Sequence, residues 1–210
     1  MGNMFEAPSE EAWGNPWKSG YFKQIAELGF RHVRIPVRWE PSNRSLTQQP
    51  YTIYPQFLQR IQQVVDEGLS TQLMVIINMH HHEALNADPV GQRERFLQQW
   101  RQIAEHFRDY PSSLVYELLN EPHNNLTPET WNSLLAEGIR QVRQVSPTRT
   151  VLIGPAEWGG LSGLPKLAIP DDSNIILTLH YYDPFQFTHQ GAEWLGADSQ
   201  RWLGTRWMDL

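Results

Sequence analysis

An α/β fold built on a parallel sheet is the architecture this sequence predicts. Two observations carry that reading. Short β-branched runs alternate with longer amphipathic stretches along the chain, and the chemically capable side chains gather where the short runs end. Strand, helix, strand, helix in that order implies parallel pairing through right-handed crossovers.

The elements follow in sequence. A helical stretch at about residues 20–28 closes at Gly29, whose missing Cβ suits a helix C-terminus. Residues 31–37 are short and β-branched, a strand. Residues 56–67 place Phe57, Leu58, Ile61, Val64 and Val65 three and four apart and stop at Gly68, a helix. Residues 73–79 form a nearly continuous apolar run, the pattern of a strand buried on both faces. A second amphipathic helix is expected over 91–108 and a strand over 114–119. Thr127 as N-cap and Pro128 at the first position open a third helix, Pro128–Val145. Strands over 150–154 and 175–179 complete the series. These are five clear strands, with the end of an earlier one indicated just before Gly2-Asn3. Six strands are too few to close an eight-stranded barrel. An open doubly wound sheet fits the count, but no Gly-rich phosphate loop follows the early strands.

Composition narrows the function. At 210 residues the chain suits one domain with a sizeable core, or part of a larger one. Its net charge of −6 gives no electrostatic reason to expect nucleic acid or an anionic membrane as partner. Cysteine is absent, which removes disulfides, thiolate ligands and thiol nucleophiles. No apolar run approaches the roughly 18–20 residues of a membrane-spanning helix. Residues 1–20 have no signal-peptide apolar core and leave localisation open. Nine tryptophans are unusual. Core packing is the plain reading, yet Trp13, Trp17, Trp158, Trp194 and Trp207 sit in polar, loop-like contexts where flat rings could stack on sugar faces.

Polar chemistry collects at the C-terminal ends of the expected strands. Arg34 lies in the first clear strand, with Trp39 and Glu40 just beyond it. The next ends in Asn78 and His80-His81-His82, and the third in Asn120-Glu121-Pro122. The fourth leads into Glu157-Trp158, the fifth into His180-Tyr181-Tyr182. Parallel strands present these ends on one face, where barrel enzymes build their sites. Each residue also has a plainer reading. Arg34 could be a core arginine, with Glu117 as its structural partner. The histidine triplet could bind metal, but strand alternation allows only His80 and His82 to share a face, which favours hydrogen bonding to hydroxyls. Glu121 has no comparable structural role, and the proline after it stops the strand.

With those residues placed, the sequence resembles the family-5 glycoside hydrolases over essentially its whole length. Arg34 in Val-Arg-Ile-Pro-Val-Arg-Trp matches the family's arginine near the nucleophile. His80-His81 matches the histidines lining the substrate cleft, Asn120-Glu121-Pro122 the acid/base motif, and His180 and Tyr182 the pair flanking the reacting sugar. Residues 2–8 and 187–194 are similar to a bacterial endoglucanase and mannanase branch, which implies sugar contacts for Asn3, Glu6, His189 and Trp194. The resemblance implies a (β/α)8 TIM barrel present in part, from the exit of barrel strand 1 to the loop after strand 6. Residues 1–210 are then a single partial catalytic domain lacking the strand 7–8 region. It implies a retaining β-glycosidase acting on β-1,4-glucan, with mannan second, and Glu121 as general acid/base. No cofactor and no metal are expected, protein partners are unknown, and the substrate class suggests secretion. The family's nucleophile is a glutamate ending strand 7. Glu193, the sole glutamate after Tyr182, sits in a substrate-loop motif instead. The chain is therefore expected to be a fragment, inactive by itself. Two alternatives stand beside this: a non-catalytic sugar-binding protein that keeps the cleft, and a metal hydrolase using the histidine triplet.

Overall fold

A computed structural model describes residues 4–209, in two compact units divided in sequence between Leu179 and His180. The first unit is a five-stranded parallel sheet: β1 (His32–Ile35), β2 (Met74–Asn78), β3 (Leu114–Glu117), β4 (Val151–Ile153) and β5 (Ile175–Leu177). Each strand pairs with the next in sequence, β1 through β5. A doubly wound sheet reverses its strand order at a switch point; an unreversed order is the wall of a barrel. Phe5 pairs in parallel with Val37 just past β1, where the exit of a preceding strand was expected.

The register sorts every strand residue onto one of two faces. Val33, Ile35, Val75, Ile77, Leu114, Tyr116, Val151 and Ile153 share the face that belongs to the main hydrophobic cluster. Helices α1 (Tyr21–Glu27), α2 (Pro55–Ser70), α4 (Pro89–His106) and α5 (Pro128–Val145) contribute their apolar stripes to the same cluster. Arg34, Ile76, Asn78, Val115, Glu117 and Leu152 point the other way. Polar residues in the sheet are thus confined to one face.

Strand ends leave carbonyls without ladder partners, and three fully buried tryptophans supply the donors. Trp39 Nε1 donates to the Asn78 carbonyl (2.8 Å), Trp100 to Leu118 (2.9 Å) and Trp131 to Gly154 (2.8 Å). Before β3, the Arg149 guanidinium donates to the carbonyls of Phe107, Tyr110, Pro111 and Leu114. Arg44 similarly ties down the carbonyls of Phe5, Ala7 and Arg38.

The helix starts match their sequence signals, and some ends do not. Thr127 accepts from Thr130 N–H and Pro128 opens α5 as expected. Gly68, however, does not stop α2, which runs on to Ser70. A Cβ there would lie 2.7 Å from Val75 Cγ2, so the glycine admits close helix–sheet packing. A short helix, α3 (Glu83–Ala87), precedes α4, and a 3₁₀ turn spans Leu161–Lys166; neither was expected. The strands are shorter than the apolar runs that announce them.

In the second unit, helices α6 (Phe185–Thr188) and α7 (Ala197–Arg201) are short. Edge contacts of Phe185 with Trp202 and Phe187 with Trp207 hold it together, as does the Gln190 amide donating to the Phe187 and Thr205 carbonyls.

His82 caps α3: its buried Nδ1 accepts from Leu85 N–H at 3.2 Å. Burial, and then the Arg95 charge, push its pKa down to about 3. The folded protein keeps the ring neutral, whereas the unfolded chain takes up a proton below its ordinary value near 6.5. This contribution is therefore complete above pH 6.5 and is lost as pH falls, at up to ~1.4 kcal/mol per pH unit. Urea midpoints measured between pH 7 and 4.5 should fall less steeply in His82→Asn, which retains a capping acceptor but cannot titrate.

Candidate active site

The polar face of the sheet is organised by one ion pair. Arg34 Nε donates to Glu117 Oε2 at 2.5 Å and Nη2 to Oε1 at 2.9 Å, a two-point fork reaching from β1 to β3. Glu117 is only 1% exposed. Nη2 also donates to Asn120 Oδ1 at 2.8 Å, which directs the Asn120 NH₂ group away from the arginine. Backbone bonds fix the loops above: Asn120 N–H to the Met79 carbonyl, and His80 N–H to that of Val37.

Between β1 and β3, Asn78 sets the state of a neighbouring histidine. Its Oδ1 accepts from Val37 N–H at 3.1 Å, so its NH₂ must face the other way. That NH₂ donates to Glu117 Oε2 (3.3 Å) and to His80 Nδ1 (3.1 Å). Nδ1 therefore carries a lone pair, the ring proton sits on Nε2, and Nε2–H donates to Glu6 Oε2 at 3.1 Å.

Glu6, His80 and His81 bring potential ligand atoms within 4.8 Å of one another. Their composition fits a metal, but the donor set does not. A metal on His80 Nε2 moves the ring proton to Nδ1, straight against the Asn78 NH₂. The grouping also corrects the expected pairing of His80 with His82. β2 ends at Asn78, so strand alternation does not extend to the histidines, and His82 turns into the core as a helix cap.

Glu121 follows β3 with φ 45°, in the left-handed region. His123 Nδ1–H donates to its carbonyl at 2.6 Å. Glu157 and Trp158, after β4, are also left-handed (φ 62° and 63°), and Trp158 N–H donates to the Pro122 carbonyl at 3.1 Å. Trp158 is 56% exposed, yet its ring lies flat on the His123 imidazole, centroids 3.6 Å apart and planes 11° off parallel. Glu157 pairs with Lys166, which holds its carboxyl below the usual range.

Within the second unit, His180, Tyr182 and His189 form a row of edge-on rings at 6.3 and 5.0 Å, and Phe185 stacks on His189 at 3.9 Å. Trp194 is 80% exposed. Of the residues expected to form the site, Arg34, Asn120, His80 and Glu6 share one network through Glu117 and Asn78, and His81 lies beside it, its ring 4.6 Å from that of His80. Asn3 lies outside the described residues. Asn78 was expected at its strand end but without a role, and Glu83 and His123 were not singled out. For His123 the adjacency to Asn-Glu-Pro was the available signal.

The sequence pattern of the cellulase family, glycosyl hydrolase family 5, is matched by residues 2–210. Endoglucanase H of Acetivibrio thermocellus is 41% identical over 197 residues, covering 94% of this chain and 21% of that protein. Endoglucanase A of Ruminococcus albus is 30% identical over 223 residues, covering 92% of this chain and 60% of that protein. Among solved structures, Thermotoga maritima Cel5A superimposes with a TM-score of 0.94 at 48% identity, covering 99% of this chain and 67% of that one. It has been solved with mannotriose and with cellobiose. The chain thus spans about a fifth of the first relative's length and two thirds of the solved chain's.

Removing one partner of a buried ion pair leaves the other charge dehydrated and unopposed. Glu117→Ala should lower unfolding free energy by ~3 kcal/mol, read from the urea midpoint, with part of the cost relieved because Arg34 is partly exposed.

Proposed function

The chain belongs to the cellulases of glycosyl hydrolase family 5, and on that premise we propose that it carries the acid/base half of a retaining endo-β-1,4-glucanase site. The observation that carries the proposal is Glu121. It is the carboxylate at the end of a parallel barrel strand, held in a left-handed turn beside an asparagine whose amide is oriented by a half-buried arginine.

In a retaining glycosidase one carboxylic acid protonates the departing oxygen while a second carboxylate, about 5–5.5 Å away, attacks the anomeric carbon. We assign the first role to Glu121. In the second step it takes a proton from the water that releases the sugar. Asn120 NH₂ is the donor for the 2-hydroxyl, a bond that tightens as the ring flattens towards the transition state. Arg34 supplies positive charge at the strand ends for an attacking carboxylate, a role the proposal assigns to none of residues 1–210. Glu6, His80 and His81 are assigned to sugar hydroxyls; the Nε2 proton of His80 is shared with Glu6, so those two meet the sugar as a coupled pair. In the second unit, Tyr182 is assigned to orienting the attacking carboxylate, and His180, His189 and Trp194 to sugar contacts. Asn3 is assigned likewise by the family resemblance.

The substrate is a β-1,4-linked glucan, with β-1,4-mannan accepted as well. Cel5A, at 48% identity, has been solved with ligands of both kinds. The two sugars differ only in the configuration at C2.

The test uses the protein expressed through to the end of its open reading frame. Carboxymethylcellulose and mannan should both yield reducing ends. Glu121→Gln should slow hydrolysis of poor-leaving-group substrates by roughly 10²–10⁴-fold, the usual contribution of a positioned acid. Undiminished turnover in that variant removes Glu121 from the acid role. Binding of cello-oligosaccharides with no turnover by the parent protein would instead mark a sugar-binding protein.

A further inference from the structure

Two loops leave the sheet through left-handed residues, and one imidazole touches both. A left-handed conformation costs a non-glycine residue about 1–2 kcal/mol and persists only where its surroundings enforce it. Glu121 adopts it after β3 and Trp158 after β4. For Trp158 the cost is not repaid by burial, since more than half of the residue is exposed. His123 touches both. Its Nδ1–H grips the Glu121 carbonyl at 2.6 Å, and its ring face lies under Trp158 at 3.6 Å.

His123 is itself held firmly. It is 7% exposed, and its backbone N–H donates to Asn86 Oδ1 at 3.3 Å. Because the Glu121 carbonyl can only accept, Nδ1 must carry a proton, and Nε2 lies 3.6 Å from Glu83 Oε2. The same glutamate's Oε1 lies 3.6 Å from Nδ1 of His81. The indole stacks on one face of the imidazole.

We propose that His123 is a positioning residue for the hydrolytic reaction: its Nδ1–H fixes the backbone turn that aims the Glu121 carboxyl, and its ring sets the plane of Trp158 as a sugar-stacking surface. The inference rests on Glu121 being the acid. The peptide carbonyl of Glu121 and the direction of its side chain turn together about one Cα, so releasing the carbonyl lets φ relax and swings the carboxyl. A displacement of that kind damages proton donation more than attack on the sugar.

Leaving-group dependence isolates this effect in the full-reading-frame protein. Dinitrophenyl β-cellobioside needs little proton donation, whereas phenyl β-cellobioside needs it fully. His123→Phe keeps a flat ring beneath Trp158 and removes the donor. His123→Asn keeps a donor at the reach of Nδ1 and removes the ring. The phenyl-to-dinitrophenyl ratio of kcat/KM should fall about tenfold in His123→Phe, the rate equivalent of one hydrogen bond, and recover in His123→Asn. KM for cello-oligosaccharides should rise in His123→Asn and not in His123→Phe. Where the phenylalanine variant does not fold, His123→Leu carries the same expectation for the ratio. An unchanged ratio in the folded donorless variant, or an equal fall in His123→Asn, overturns the role at Glu121. An unchanged KM in His123→Asn overturns the role at Trp158. Glu121→Gln, run alongside, separates the two readings. If it leaves the ratio unchanged, the acid assignment fails; if it lowers the ratio and His123→Phe does not, only the present inference fails.

Discussion

The Arg34–Glu117 fork is the constraint on which the polar face of the sheet depends. Neither charge can sit inside a barrel wall alone, because the dehydration of one is offset only by the other. The pair reaches across β2, so Asn78, the residue between them, must turn its NH₂ towards Glu117. That orientation makes His80 an acceptor at Nδ1 and a donor at Nε2, and brings Glu6 under its Nε2 proton. On the far side, the same guanidinium orients the Asn120 amide beside Glu121. One half-buried pair thus propagates through short hydrogen bonds into the orientation of Asn78 and Asn120 and the tautomer of His80.

Above this rigid layer the chain is bent rather than regular. Tryptophan indoles close the carbonyls of β2, β3 and β4 where the ladder stops. The chain is then free to leave the sheet sharply, and it does so through left-handed residues at Glu121 and Trp158. A packed sheet beneath and strained loops above divide the labour. The sheet is packed and paired throughout, and the loops keep their conformation through backbone bonds and contacts such as those of His123. This arrangement can hold a carboxyl at a set angle without burying it.

Much of this was readable from residue types. Thr127-Pro128 marked the start of α5 because capping is local chemistry, decided within four residues. Arg34 and Glu117 could be paired in advance because two opposite charges in apolar strands have few other ways to be buried. Gly68 misled for the converse reason. A glycine after an apolar stripe looks like a helix stop, and only the approach of Val75 from β2 shows that it is a packing glycine. His82 was placed on one face with His80 because the strand period was carried past the true strand end; tertiary contacts made it a buried cap. His123 stood next to the acid motif and attracted no attention, since its two partners are a carbonyl and a ring from a loop 35 residues away in sequence.

The chain's own residues determined the parallel α/β plan, the placement of polar chemistry at strand ends, and the identity of Glu121 as the carboxylate of interest. These follow from periodicity, local capping and the segregation of charge from apolar runs, none of which needs a distant partner. Tertiary structure alone decided that the sheet runs in unreversed order, which proton His80 carries, and that the left-handed Glu121 and Trp158 meet at one imidazole. Each of these is settled by groups that meet only after folding. Strand order depends on which edges pair, a tautomer on what faces each ring nitrogen, and backbone strain on the contacts that outweigh it.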